Sequence, residues 1–232
     1  MPFPPPEECS LPLVLEAHYL LHAPSVIPPQ PLLVLATHGY GMNAHQILQL
    51  TETLTGASLI LASLEAPNQH YLSAKPGSDE IGFNWGTRAR WQNAVSAHHK
   101  MVLGVLEQCR RRFDTPPSRC LLLGFSQPVG LNYRFAATHP DQVSGVIGIC
   151  GGVPRDWEDD PSYKPVTAAL LHIARDEDEY YPAETVSRFP DRLRHRAADV
   201  EFHLLPGPHR FPSKARTIVE PWLARVFPTA AL

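Results

Sequence analysis

Cys120-Leu121-Leu122-Leu123-Gly124-Phe125-Ser126-Gln127-Pro128-Val129 is the stretch from which the rest of the chain can be read. Its first half is a short, uninterrupted apolar run, the pattern of a strand buried on both faces. Its second half turns at Gly124 and enters helix-compatible sequence from Val129. A serine at so tight a strand-to-helix turn has its hydroxyl pushed out of the top of the sheet, the geometry of a nucleophile elbow. Gly124 leaves the near side of that turn free of a Cβ. Pro128 stands where Gly-x-Ser-x-Gly has its second glycine. A serine that merely caps a helix fits the same pentapeptide, so the surroundings have to decide.

Outward from this segment, short apolar runs alternate with amphipathic stretches. Leu32–Ala36, Leu59–Ala62, Val143–Cys150, Ala168–Ile173 and Val200–Leu205 read as strands, with an edge strand over Leu13–Leu21. Helices are expected from an Asn43 cap through Leu50, from a Thr87 cap to Phe113, and over 128–138, Glu184–Leu193 and Lys214–Val226. Two long irregular connections remain, Glu65–Gly86 (with Tyr71, Pro76 and Gly77) and Gly151–Lys164. The alternation predicts an α/β fold: a mostly parallel central sheet of about seven strands with helices on both faces. Residues 1–232 read as one domain preceded by a proline-rich arm over 1–10.

Composition narrows the classes of function. A net charge of −3 carries no electrostatic footprint for nucleic acid or anionic membrane. The basic run Arg110-Arg111-Arg112 falls at a helix end, where cations suit the dipole. Residues 1–10 lack the pattern of a signal peptide, and no apolar stretch reaches the roughly 18 residues of a membrane span. Four cysteines lie far apart, three of them in predicted core elements, which suits reduced thiols and a cytoplasmic location. Twelve histidines raise the question of a metal, yet no His-Glu-x-x-His or cysteine–histidine set with zinc spacing is present. No metal is expected, and His172 reads as an interior histidine.

In open α/β sheets ligands bind at the carboxyl ends of the strands. Gly39-Tyr40-Gly41, Ser126, the Asp176–Glu179 cluster and His209 each follow a predicted strand and so open onto one rim. The order serine, acid, histidine is that of α/β-hydrolases. A serine hydroxyl needs an imidazole to take its proton, and an acid must hold that imidazole in the correct tautomer. Ser126 and His209 fill the first two roles. The amides of Tyr40 and Gln127 are placed to bind an oxyanion. Tyr71, Phe83, Trp85 and Trp157 lie in the two long loops and are candidates to line an acyl pocket, with core packing as the alternative for each.

The arrangement resembles the phospholipase/carboxylesterase family of α/β-hydrolases, which includes acyl-protein thioesterases. The resemblance runs from Leu32 onward and rests on His38-Gly39-Tyr40-Gly41, Gly82-Phe83-Asn84-Trp85-Gly86, Gly124-Phe125-Ser126-Gln127, Asp178 with Pro182, and Gly207-Pro208-His209. It implies a triad of Ser126, Asp178 and His209. Asp178 is chosen by aligning Pro182, and Asp176 is the alternative. Arg175 stands where relatives often have glycine. The resemblance further implies ester or thioester hydrolysis through an acyl-enzyme, with no cofactor. The expectation is a carboxylesterase for short- to medium-chain esters, with a thioesterase, a lysophospholipase or a catalytically impaired binding protein as alternatives.

Overall fold

The inner strands Leu33–Thr37, Cys120–Phe125 and Gly145–Ile149 are built almost wholly from apolar residues. In the computed structural model, which describes residues 5–55, 59–75, 77, 79–212 and 214–228, β2 (Leu33–Thr37) is buried at every position. Leu33 and Leu35 enter one core cluster, and Val34 and Ala36 enter the other, on the opposite face. An apolar run without alternation is what two covered faces require. Pro76 of the first long loop and residues 1–4 of the arm lie outside the described residues.

Seven strands form the sheet in the order β1-β3-β2-β6-β7-β8-β9, with β1 (Tyr19–His22), β3 (Ile60–Leu64), β6 (Cys120–Phe125), β7 (Gly145–Ile149), β8 (Ala169–Arg175) and β9 (Val200–Leu205). Only β1 runs antiparallel, pairing with β3. Helices α2 (Trp91–Phe113), α3 (Val129–Thr138) and α5 (Phe189–Arg194) cover the first face; α1 (Ala44–Thr55) and α6 (Arg216–Val226) cover the second. A four-residue helix, α4, spans Ala183–Val186.

Four expectations are corrected. The edge strand begins at Tyr19, because its partner β3 ends opposite it at Leu64. Leu13, Val14 and Leu15 are left exposed with no strand to join. Thr87 does not cap α2, which starts at Trp91 after Arg90 takes a left-handed φ of 54°. The helix over Glu184–Leu193 divides into α4 and α5, since Pro190 in the first turn of α5 has no N–H to continue the earlier ladder. The Glu65–Gly86 connection is not wholly irregular: β4 (Asn68–Tyr71) and β5 (Ile81–Asn84) form an antiparallel hairpin. That hairpin docks on the turn after β2, with Gly41 N–H donating to Phe83 O at 2.8 Å and Phe83 N–H to Met42 O at 3.1 Å. A Cβ on Gly82 would lie 2.6 Å from Gly41 O, so glycine permits the approach.

At the far end of α2, Arg110 is half-buried and donates to Gln142 Oε1 at 2.7 Å, so the basic run is not wholly solvated. Cys109, Cys120 and Cys150 are buried, Cys9 is exposed, and all four are free thiols.

Candidate active site

Ser126 follows β6 directly and adopts φ +63°, a left-handed conformation that costs a non-glycine residue about 1–3 kcal/mol. Packing holds it there. Its N–H donates to Ile149 O at 2.8 Å, and its carbonyl accepts from Val129 N–H at 3.2 Å. Glycine surrounds it where space is shortest: a Cβ on Gly151 would stand 2.6 Å from Ser126 O, and one on Gly39 would stand 3.3 Å from Ser126 Cβ. Pro128 takes φ −80° and ψ −6° immediately before α3, a helical conformation proline adopts without strain. Its carbonyl still accepts from Asn132 N–H at 2.8 Å.

His209 arrives from β9 through Pro206-Gly207-Pro208, and its Nε2 lies 2.8 Å from Ser126 Oγ. Its Nδ1 lies 2.7 Å from Asp178 Oδ2. The imidazole is nearly enclosed, flanked by Phe125, Tyr180 and Tyr181 with ring centroids 5.5, 4.8 and 6.2 Å away.

The acidic cluster after β8 divides its duties. Asp178 meets the imidazole. Asp176 accepts from Gly207 N–H at 2.8 Å and shapes the turn that delivers His209. Glu179 accepts from the backbone N–H of His209 at 3.2 Å. Arg175 packs across Gly207, whose φ of +116° and missing Cβ make room for the guanidinium.

An imidazole so placed can take the Ser126 proton on Nε2 while Nδ1–H donates to Asp178. Among the described residues, neither Tyr40 N–H nor Gln127 N–H donates to a protein acceptor, so both are free to meet a developing oxyanion. Beneath them His38 accepts from Ala66 N–H on Nε2 at 3.0 Å and donates from Nδ1 to Gly39 O at 2.8 Å. Burial pushes its pKa down to about 4, partly opposed by the Gly39 carbonyl, so it stays neutral. Cys150 is close to the site, but burial, reinforced by the Asp178 charge, raises its thiol to about 12 and leaves it protonated.

The four aromatic candidates are elsewhere. Trp85 is 1% exposed, and its indole N–H donates to His38 O at 2.7 Å. Trp157 is fully buried between Tyr133 and Tyr163. Phe83 lines a separate cavity beneath residues 14–18, and Tyr71 is exposed. Large rings at these positions fill the core or the surface, so none of the four lines the cavity beside Ser126 and His209. That cavity, of about 640 Å³, is walled by Trp91, Leu131, Val153 and Tyr181 and reaches Gln127. Trp91 lies within the helix expected to run to Phe113 and Tyr181 just past the acidic cluster, and the sequence singles out neither.

Gln127 joins elbow and cavity. Its side chain accepts from Trp85 N–H at 3.0 Å and donates to Gly86 O at 2.8 Å. His172 is interior, with Nδ1 2.8 Å from Tyr133 Oη. Among the described residues no group of three or more His, Cys, Asp or Glu could hold a metal, and no helix is long and apolar enough to cross a membrane.

The profile of the family described as Phospholipase/Carboxylesterase matches residues 23–225. No curated protein matches the chain significantly. Among solved structures, the Bacillus cereus carboxylesterase superposes with TM-score 0.71 at 14% identity, covering 91% of this chain and 95% of its own. Esterase PE8 superposes with TM-score 0.73 at 18% identity, covering 92% and 100%. A carboxylesterase from Mesorhizobium loti gives TM-score 0.67 at 21% identity, covering 83% and 88%. At these identities the solved structures establish the α/β-hydrolase fold.

Proposed function

The chain belongs to the phospholipase/carboxylesterase family, and from that premise we propose that it is a serine carboxylesterase acting through an acyl-enzyme. The observation that carries this reading is the continuous line Ser126 Oγ, His209 Nε2, His209 Nδ1, Asp178 Oδ2, with gaps of 2.8 and 2.7 Å. Ser126 Oγ attacks the ester carbonyl carbon as its proton passes to His209 Nε2. The oxyanion draws on the Tyr40 and Gln127 amides. Collapse breaks the bond to the alcohol oxygen, which leaves with the proton from His209. Water, deprotonated by the same nitrogen, then releases the acid and restores Ser126. Asp178 keeps Nδ1 protonated and stabilises the imidazolium in each half-reaction.

The proposed preference is for short to medium acyl chains, and the cavity of about 640 Å³ has the size of a small-molecule site. A panel of 4-nitrophenyl esters from acetate to palmitate measures that preference. Fluorophosphonate labelling tests the nucleophile: rapid labelling of the native protein and none of Ser126→Ala is expected. Turnover in Ser126→Ala should fall by about a million-fold. Retained esterase activity in that variant would discard the assignment. A thioester or lysophospholipid substrate keeps the same machinery and is read out by the same variant.

A further inference from the structure

The cavity beside Ser126 and His209 has a cationic lining. Among the described residues its lining includes Arg88, Arg134 and Arg155 and no carboxylate, in a chain whose net charge is −3. Arg134 is spoken for: it is ion-paired with Asp156 at 2.7 Å and bonded to Tyr163 Oη. Arg88 and Arg155 are exposed at the mouth, and among the described residues neither forms an ion pair. Arg88 lies in the turn between β5 and α2 and Arg155 in the connection after β7, so the fold brings them to one opening from distant points in the sequence.

The same cavity touches the catalytic apparatus on two sides. Gln127, next to Ser126, forms part of its wall. So does Tyr181, whose N–H donates to Asp178 Oδ1 at 3.0 Å and whose ring lies against His209. A substrate group seated there is therefore contiguous with the reacting ester. Leu131, Val153 and Trp91 offer it an apolar wall, and the guanidiniums offer a planar fork that matches a carboxylate.

We infer that the preferred substrate is an ester carrying a carboxylate, held by Arg88 and Arg155 at the mouth of this cavity. The inference rests on the esterase reading above and names its substrate class. Apolar contact along the wall and an anion at the rim together select against both uncharged lipids and small neutral esters.

Two ester pairs test it. Mono(4-nitrophenyl) glutarate and its methyl ester differ by a carboxylate on the acyl side; 4-acetoxybenzoate and its methyl ester differ by one on the alcohol side. In one of the two pairs, kcat/KM for the charged twin should exceed that of the neutral twin by about 10-fold, the size of a charge-assisted contact partly screened by water. In the Arg88→Gln/Arg155→Gln variant that ratio should fall to parity. A neutral twin that leads in both pairs, or a ratio unchanged in the double variant, overturns the inference. Failure of the esterase reading looks different, since all four esters would then survive. In that event, calorimetric titration of glutarate into the Ser126→Ala protein decides: saturable binding lost in the triple variant supports the carboxylate site, and no saturable binding rejects it.

Discussion

Asp178 approaches His209 with one carboxylate oxygen, at 2.7 Å, while its other oxygen accepts from the backbone N–H groups of Tyr180 and Tyr181 at 2.8 and 3.0 Å. The acid side chain is 1% exposed and the imidazole 10%. The carboxylate is thus held at both oxygens, and its aim at Nδ1 does not depend on a free torsion.

Asp178→Asn should lower kcat by about 10⁴, because an amide at that place favours the wrong imidazole tautomer. Asp176→Asn keeps an oxygen able to accept from Gly207 N–H and should cost far less. Steady-state kinetics on the two variants separate these roles. Equal losses would move the orienting role away from Asp178.

Pro128→Gly tests whether the altered elbow matters to catalysis. Proline fits the observed φ of −80°, so its replacement should lower stability by about 0.4–1 kcal/mol through the unfolded chain. The amide proposed to serve the oxyanion belongs to Gln127 and is not removed by either residue. Ester turnover should stay within a few-fold of the native rate. A large gain in kcat in the glycine variant would show that proline displaces the oxyanion donor.

Trp157→Ala and Trp91→Ala should part company. Trp157 is fully buried, and truncating it should cost about 3–5 kcal/mol. Trp91 is half-buried and walls the cavity, so its truncation should change ester selectivity more than stability. Chemical denaturation and the ester panel read the two effects.

Buried histidines make the fold sensitive to acid. Burial holds the pKa of His98 and His172 down to about 3, against an ordinary value of 6.5; His99 adds to the effect on His98 and Asn132 opposes it. The unfolded chain therefore takes up protons first as pH falls, and stability present above pH 6.5 is lost progressively toward pH 3. Each should cost about 2 kcal/mol at pH 5. Tm should drop between pH 7 and pH 5; a constant Tm over that interval would contradict the buried, neutral state of these rings.

The sequence by itself determined the layered sheet and the rim. Runs such as Leu33–Ala36 and Cys120–Leu123 are apolar throughout because both faces are covered, and that pattern is local. The order Ser126, Asp178, His209 at strand ends was equally legible, since the carboxyl ends of parallel strands share one edge. Only the tertiary structure showed that Asp178 and not Asp176 reaches His209, because two acids in one loop differ only in where the loop's path aims them. The hairpin of β4 and β5 escaped notice because its strands are four residues long and β4 is polar at its first three positions. The aromatic residues were unassignable for a related reason. Whether Trp157 fills a core or Trp91 walls an opening depends on which distant side chains reach it first, and large apolar rings carry no local mark of that outcome.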